Sequence, residues 1–197
     1  MGCEYSSSQT DGLDNPTIRS SQKRAGSVIF TLKKMPVWGE PATTDGFEWP
    51  TLSELYEMPV QKFHLKSIHF KSVNDGLNVG ICSVRCELSN GVSSGELSVD
   101  GVRTSTSGVI HVPADQTVIR KVQAYSDECG VFNIYMKDEQ GNVVCSYDPK
   151  NYGEISTGKF EIDPLEEIIG VYGTQPNMGS NIFSSLGLIV LSRRQIA

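Results

Sequence analysis

The side chains best equipped for catalysis or metal binding are His64, His69 and His111, the cysteines at 3, 82, 86, 129 and 145, and the adjacent pair Glu166-Glu167. Their spacing does not assemble a reaction. His64 and His69 are five apart, which on a strand points them to opposite faces and rules out a local metal pair. His111 lies in Val109-Ile-His-Val-Pro113, a strand by composition, and reads as an ordinary edge histidine. Cys82 and Cys86 are four apart, on one strand face and roughly 13 Å from each other, too far to bond. No Cys-x-x-Cys pair occurs, and an odd thiol count without an apolar leader points to a reducing, intracellular setting. Neighbours on a strand diverge, so Glu166 and Glu167 cannot share a proton as an acid–base dyad. Nucleophile-elbow, zincin, phosphate-loop and dinucleotide glycine patterns are all absent. No catalytic residue, metal site or cofactor is expected, and the chain reads as non-enzymatic.

Bulk properties narrow the partners. The 197 residues carry 17 basic and 23 acidic side chains, a net charge of −6. Arg19, Lys23 and Arg24, with Arg193 and Arg194, are the only basic clusters, so no stripe exists to displace counterions from nucleic acid. No stretch approaches the ~20 apolar residues that span a bilayer. Nineteen glycines and nine prolines favour many turns over long helices.

The N-terminus Met1-Gly2-Cys3-Glu4-Tyr5-Ser6 fits the myristoylation pattern, with Gly2 as acceptor and Cys3 as a neighbouring thioester site. One acyl chain holds a bilayer marginally and two hold it stably. Residues 1–26 hold hardly any large apolar side chain and are expected to be a disordered tether. Residues 27–58 read as an N-terminal strand and a covering segment, in which Thr51-Leu-Ser-Glu54 forms a capping box over a turn or two of helix. A third region, 59–197, carries the main domain.

That region repeats itself. Leu65-Lys-Ser-Ile68-His-Phe70, Ile119-Arg-Lys-Val122-Gln-Ala124 and Ile168-Ile-Gly-Val171-Tyr-Gly173 open three units, 54 and 49 residues apart. Each is followed by a second apolar pair: Ile81 with Val84, Val131 with Ile134, and Phe183 with Leu186. Turn residues separate the two halves of each unit, at Asn74-Asp75-Gly76, at 127–130 and at 176–179. Alternation in the second unit puts Val131, Asn133, Tyr135 and Lys137 on one face, with Phe132, Ile134 and Met136 on the other. The implied architecture is three hairpin-based sheets packed around a shared axis.

The run Gly158-Lys-Phe160-Glu-Ile162, through Glu167-Ile-Ile-Gly-Val171-Tyr-Gly173 to Ser185-Leu186-Gly187-Leu188, resembles the signature of the jacalin-related lectins. The resemblance covers roughly residues 60–192. It implies an all-β fold, a β-prism of three four-stranded Greek-key-type sheets with pseudo-threefold symmetry. In that family a Gly-x-x-x-Asp loop before the last strand binds sugar through the Asp carboxylate. Matching the loop places Ser184 at the Asp position, with Asn133 and Ser83 as its equivalents in the other units. No unit carries the carboxylate, and a hydroxyl cannot replace its charge-assisted acceptance. Asn177, Gly179, Ser180, Asn181 and Ser184 remain as a polar binding loop. The expected role is therefore a binding or structural protein. Its acylated tail would attach it to the cytoplasmic face of a membrane or to a cytoskeletal or ciliary assembly, and its domain would contact protein partners. A carbohydrate-binding, lectin-like module that recognises glycans or polar headgroups is the alternative.

Overall fold

In the computed structural model of the chain, the described residues are 17–20, 28–40, 46–58, 63–74, 79–99, 102–127, 130–153, 156–175 and 181–195. The three repeats form three long hairpins. β5 (Leu65–Asn74) pairs with β6 (Val79–Leu88), β9 (Lys121–Asp127) with β10 (Gly130–Lys137), and β13 (Glu166–Thr174) with β14 (Ser185–Gln195).

Each hairpin is the centre of one antiparallel sheet. β7 (Leu97–Ser98) and β8 (Thr106–His111) flank the first, in the order β7-β6-β5-β8. β11 (Val143–Tyr147) and β12 (Gly158–Glu161) flank the second, as β11-β10-β9-β12. In both of these sheets the chain crosses from one sheet edge to the other after the hairpin and its first flanking strand, as a Greek key does. The third sheet is larger than the four strands expected. Its order is β1-β2-β14-β13-β4, with β3 also on β14, from β1 (Thr17–Ser20), β2 (Val28–Lys34), β3 (Trp38–Gly39) and β4 (Gly46–Trp49). Residues of the N-terminal 58 therefore complete the sheet that the last repeat begins. β1 falls within the segment expected to be a tether, where Thr17–Ser20 pairs with Val28–Thr31. Gly2 and Cys3 lie outside the described residues.

Alternation along each hairpin builds the core. In β6, Val84, Cys86 and Leu88 point inward and are fully buried, while Arg85 is exposed. They join Ile68, Ile134, Met136, Val171, Leu186 and Leu188 in one cluster fed by all three sheets. Burial of this kind contributes about 25 cal/mol per Å² of apolar surface removed from water. α1 (Leu52–Glu57) carries the expected capping box, Thr51 receiving the Glu54 N–H and Glu54 the Thr51 N–H. Leu55 and the C-capping Met58 pack on the same core.

Specific contacts sew the sheets together. Trp38 donates from Nε1 to the Gly158 carbonyl at 3.2 Å and packs on Phe160. Tyr147 stacks on Phe70 and shares a buried 2.7 Å hydrogen bond with Ser72. Gln116, in the short 3₁₀ turn Gln116–Val118, accepts from the Ile168 N–H at 2.7 Å and donates to the Ile168 carbonyl at 3.0 Å and to the Leu65 carbonyl at 3.5 Å. One buried amide thus spans two sheets.

Two expectations of strict alternation fail for one reason. Ser83 pairs with Lys71 and Ile81 with Ser72, so Cys82 is an extra residue, a β-bulge. Asn133 pairs with Tyr125 and Val131 with Ser126, so Phe132 is another. Each bulge resets the inside–outside phase. Val131 and Ile134, expected on opposite faces, both enter the main core, while Phe132 leaves it. Cys82 and Cys86, expected on one face, are separated between two clusters in the same way.

Candidate functional site

The bulges mark one end of the prism, where the three hairpins turn. Val73, Cys82, Phe132 and Ile182 form a second apolar cluster there, flanked by Val99, Val102, Tyr125 and Tyr152. Register identifies equivalent positions across the units. Phe70 pairs with Val84, Ala124 with Ile134, and Gly173 with Leu186. Counting back from these pairs aligns Ser83 with Asn133 and Ser185, not with Ser184. Ser184 aligns with the bulged Cys82 and Phe132. The sequence comparison, which set Ser184 beside Asn133 and Ser83, is one residue off from this register.

The same count aligns Gly80, Gly130 and Ile182, and here the symmetry is broken usefully. A Cβ on Gly80 would lie 2.3 Å from Ile182 Cδ1, and one on Gly130 would lie 2.4 Å from the Phe183 carbonyl oxygen and 2.9 Å from Ile182 Cδ1. Two units give up their side chains so that the third can place a single isoleucine between them. The Phe183 N–H then bonds the Ile81 carbonyl at 2.8 Å, fixing the last hairpin to the first. Gln175, on the other side of the same loop, donates to the Ser98 carbonyl at 3.3 Å.

Of the expected loop residues, Asn181 and Ser184 are among the described ones. Asn181 is exposed, directly before the buried Ile182. Ser184 is only 5% exposed, and its carbonyl lies against Gly39, which adopts a φ of +81°. It therefore lies beneath the surface that a ligand would meet. Asn177, Gly179 and Ser180 lie outside the described residues.

Beside this loop a cavity of about 260 Å³ opens, lined by Lys71, Cys82, Ser83, Glu96, Ser98, Val99, Val102 and Thr104. Lys71, Ser83 and Ser98 form one cross-strand row over β5, β6 and β7. Glu96 leans over that row, its Oε1 accepting from Lys71 Nζ at 2.5 Å and from Ser83 Oγ at 2.9 Å. These two donors, Lys71 before Ser83, hold its carboxyl below the usual range. The Cys82 thiol donates to the Lys71 carbonyl, and burial pushes its pKa up to about 11. It is inert as a nucleophile. Glu96 and Lys71 escaped the sequence reading because 25 residues separate them and no local motif marks either one.

Farther along the same outer face, His69 is placed by Ser67 Oγ at 3.1 Å from Nε2 and by Arg85 Nη2 at 3.4 Å from Nδ1. Burial, then the Arg85 charge, lowers its pKa. Among the described residues no group of three ligating side chains could hold a metal ion, and no helix is long and apolar enough to cross a membrane.

No protein-family model matches this chain, and no curated protein matches it either. Solved structures do. A single-chain recombinant jacalin aligns with a TM-score of 0.52 at 15% identity, over 87% of this chain and 97% of its own. A mannose-binding lectin from Champedak aligns at 0.51 and 15%, over 80% and 95%. The chain is a divergent jacalin-like β-prism. PirB contains the same prism, with a TM-score of 0.52 and 13% identity over 84% of this chain, but the chain spans only 39% of PirB. The prism is thus found both as nearly a whole lectin chain and as part of a longer protein.

Proposed function

We propose that this β-prism is a non-enzymatic, carbohydrate-binding, lectin-like module that meets saccharides at the end where its hairpins turn. The observation that carries the reading is the seating of Ile182 between Gly80 and Gly130. It holds the described end of that connection, 181–184, against the sheets and leaves Asn181 exposed beside it. An asparagine amide both donates and accepts, the dual capacity that sugar hydroxyls require. The fold supports the same reading, since the similar solved proteins include jacalin and a lectin described as mannose-binding. The polar loop residues expected from sequence, Asn177, Gly179, Ser180, Asn181 and Ser184, belong to this proposal. A glycan array of the full chain tests it: the reading predicts selective binding that Asn181→Ala weakens. Silence across the array, with co-purification in a large complex, would favour a protein-binding role instead.

Gly2 and Cys3 support an attached form of the same module on a cytoplasmic membrane face or an assembly. Fourteen residues lie between Gly2 and Thr17 at the start of β1. A chain of that length reaches at most about 50 Å. Mass spectrometry of the N-terminal peptide should find acyl groups on Gly2 and Cys3; a retained, unmodified Met1 would end the argument for anchoring.

A further inference from the structure

We propose that the end of the third sheet built by β1, β2 and β14 is a docking surface for an anionic lipid bilayer. Two basic clusters that the sequence holds at opposite ends of the chain meet there. Arg19 and Arg194 both pair with Ile29, one from each side of β2. Arg193 pairs with Phe30 in the next row, which Ile18 completes.

The ladder runs on past the prism. Leu32 and its partner Leu191 still belong to the main core, and β13 pairs with β14 only as far as Glu166 opposite Ser192. Three rows lie beyond: Ile18-Phe30-Arg193, Arg19-Ile29-Arg194 and Ser20-Val28-Gln195. They hold three arginines, four large apolar residues and no carboxylate. That mixture suits a membrane interface, where guanidinium groups meet lipid phosphates and apolar groups enter the acyl boundary.

Charge is segregated in the same direction. β1, β2 and β14 carry five of the 17 basic residues, Arg19, Lys33, Lys34, Arg193 and Arg194, and none of the 23 acidic ones. Lys33 and Lys34 pair with Glu166 on β13 and Glu48 on β4. No acidic residue stands on the three rows beyond. Lys23 and Arg24, in the connection from β1 to β2, lie outside the described residues, and the proposal does not need them. An anionic surface repels a chain of net charge −6 on most of its faces, so this end fixes which face approaches. A nucleic acid fits less well, because three rows offer few phosphate contacts and its backbone has no partner for Ile18, Val28, Ile29 and Phe30. The surface stands without acylation and would cooperate with it, since one acyl chain alone holds a bilayer marginally.

The test is co-sedimentation of the full, unacylated chain with phosphatidylcholine vesicles, prepared with and without phosphatidylserine. Binding is expected only with phosphatidylserine and should fall as salt rises. Each basic residue near such a surface strengthens binding about fivefold, so Arg193→Gln with Arg194→Gln should lose about 25-fold, and Arg19→Gln, on another strand, about fivefold. Urea midpoints matching the parent's would show that these losses are not unfolding. Lys150→Gln with Lys159→Gln, exposed positions away from this end, should bind as the parent does. Equal binding to both kinds of vesicle, no binding to either, or the same loss in the Lys150 and Lys159 variant would overturn the proposal. So would tighter binding to single-stranded RNA than to the vesicles at equal phosphate concentration. The vesicles carry no sugar, so the outcome is independent of the glycan array: silence there leaves this surface standing, and failure here leaves the lectin-like reading standing.

Discussion

Gly80→Ala probes the packing that organises the loop end. Its Cβ would meet Ile182 at Cδ1 (2.3 Å), Cγ2 (2.6 Å) and Cβ (2.9 Å). The last contact is not with a flexible tip, so Ile182 must move as a whole or the strand must shift. Overpacking of this kind costs about 1–3 kcal/mol. Gly80 is not in the left-handed region, so alanine also stiffens the unfolded chain, offsetting about 0.4–1 kcal/mol. The net expectation is a loss of about 1–2 kcal/mol, or a Tm lower by roughly 2–8 °C. Ile182→Ala alone should cost about 2–3 kcal/mol, the low end for a buried aliphatic at the edge of a core. In the double variant the new methyl occupies space that Ile182 vacated, so the costs should not add, and a coupling of at least about 1 kcal/mol in favour of the pair is expected. Urea denaturation of the four proteins measures it, read from midpoints at a common m-value. Additivity to within about 0.5 kcal/mol would refute the claim that Gly80 exists to admit Ile182.

The remaining predictions follow from single contacts. Gln116→Leu removes the amide spanning two sheets and orphans the buried Ile168 N–H, costing about 2–3 kcal/mol by urea denaturation. Tyr147→Phe leaves the Ser72 hydroxyl buried without its partner, at a cost of about 1–2 kcal/mol in the same assay. His69 has a folded pKa below its unfolded value of 6.5, so the unfolded chain binds its proton more readily, and stability falls as pH drops from 6.5 through the folded value. Thermal melts between pH 7 and 5 should therefore decline, and His69→Gln should flatten that decline. Glu96 is also lowered, from 4.5, by Lys71 and Ser83, so its contribution is present above pH 4.5 and disappears only at stronger acidity. Alkylation mapped by mass spectrometry at pH 8 should label Cys82 and Cys145, each pushed by burial to about 11, far more slowly in the native than in the unfolded chain.

The parts of the fold legible in the sequence were those encoded by local periodicity. Leu65 to Phe70, Ile119 to Ala124 and Ile168 to Gly173 announced three repeats because each must supply its own buried face. Thr51 and Glu54 announced a helix start because a capping box is complete within four residues. What was not legible depends on distance along the chain. A bulge at Cys82 or Phe132 changes which residue faces inward without changing composition, so alternation placed Val131 with the wrong neighbours. The enlargement of the third sheet depends on β2 finding β14 more than 150 residues away. The candidate cavity joins Lys71, Ser83 and Glu96 through pairing geometry alone, and neither the glutamate nor the lysine belongs to a motif.

The same geometry explains how one repeated unit gives three different ends. The residue opposite Ser83 is Lys71; opposite Asn133 it is Tyr125; opposite Ser185 it is Thr174. In the second unit Tyr125 packs at a tilt against Phe132 and Tyr152 while Asn133 satisfies backbone groups, so polar capacity goes into holding the backbone. In the third, two hydroxyls satisfy each other and Ile182 plugs the axis, so the unit acts as an anchor. In the first, Lys71 stays part-exposed and its ammonium pairs with Glu96 at the cavity. The first unit thus keeps an open recess beside its cross-strand pair. The three hairpins stay equivalent in that each sends an apolar face into one shared core. The ends diverge because a single cross-strand pair decides whether each is packed, plugged or left open to a ligand.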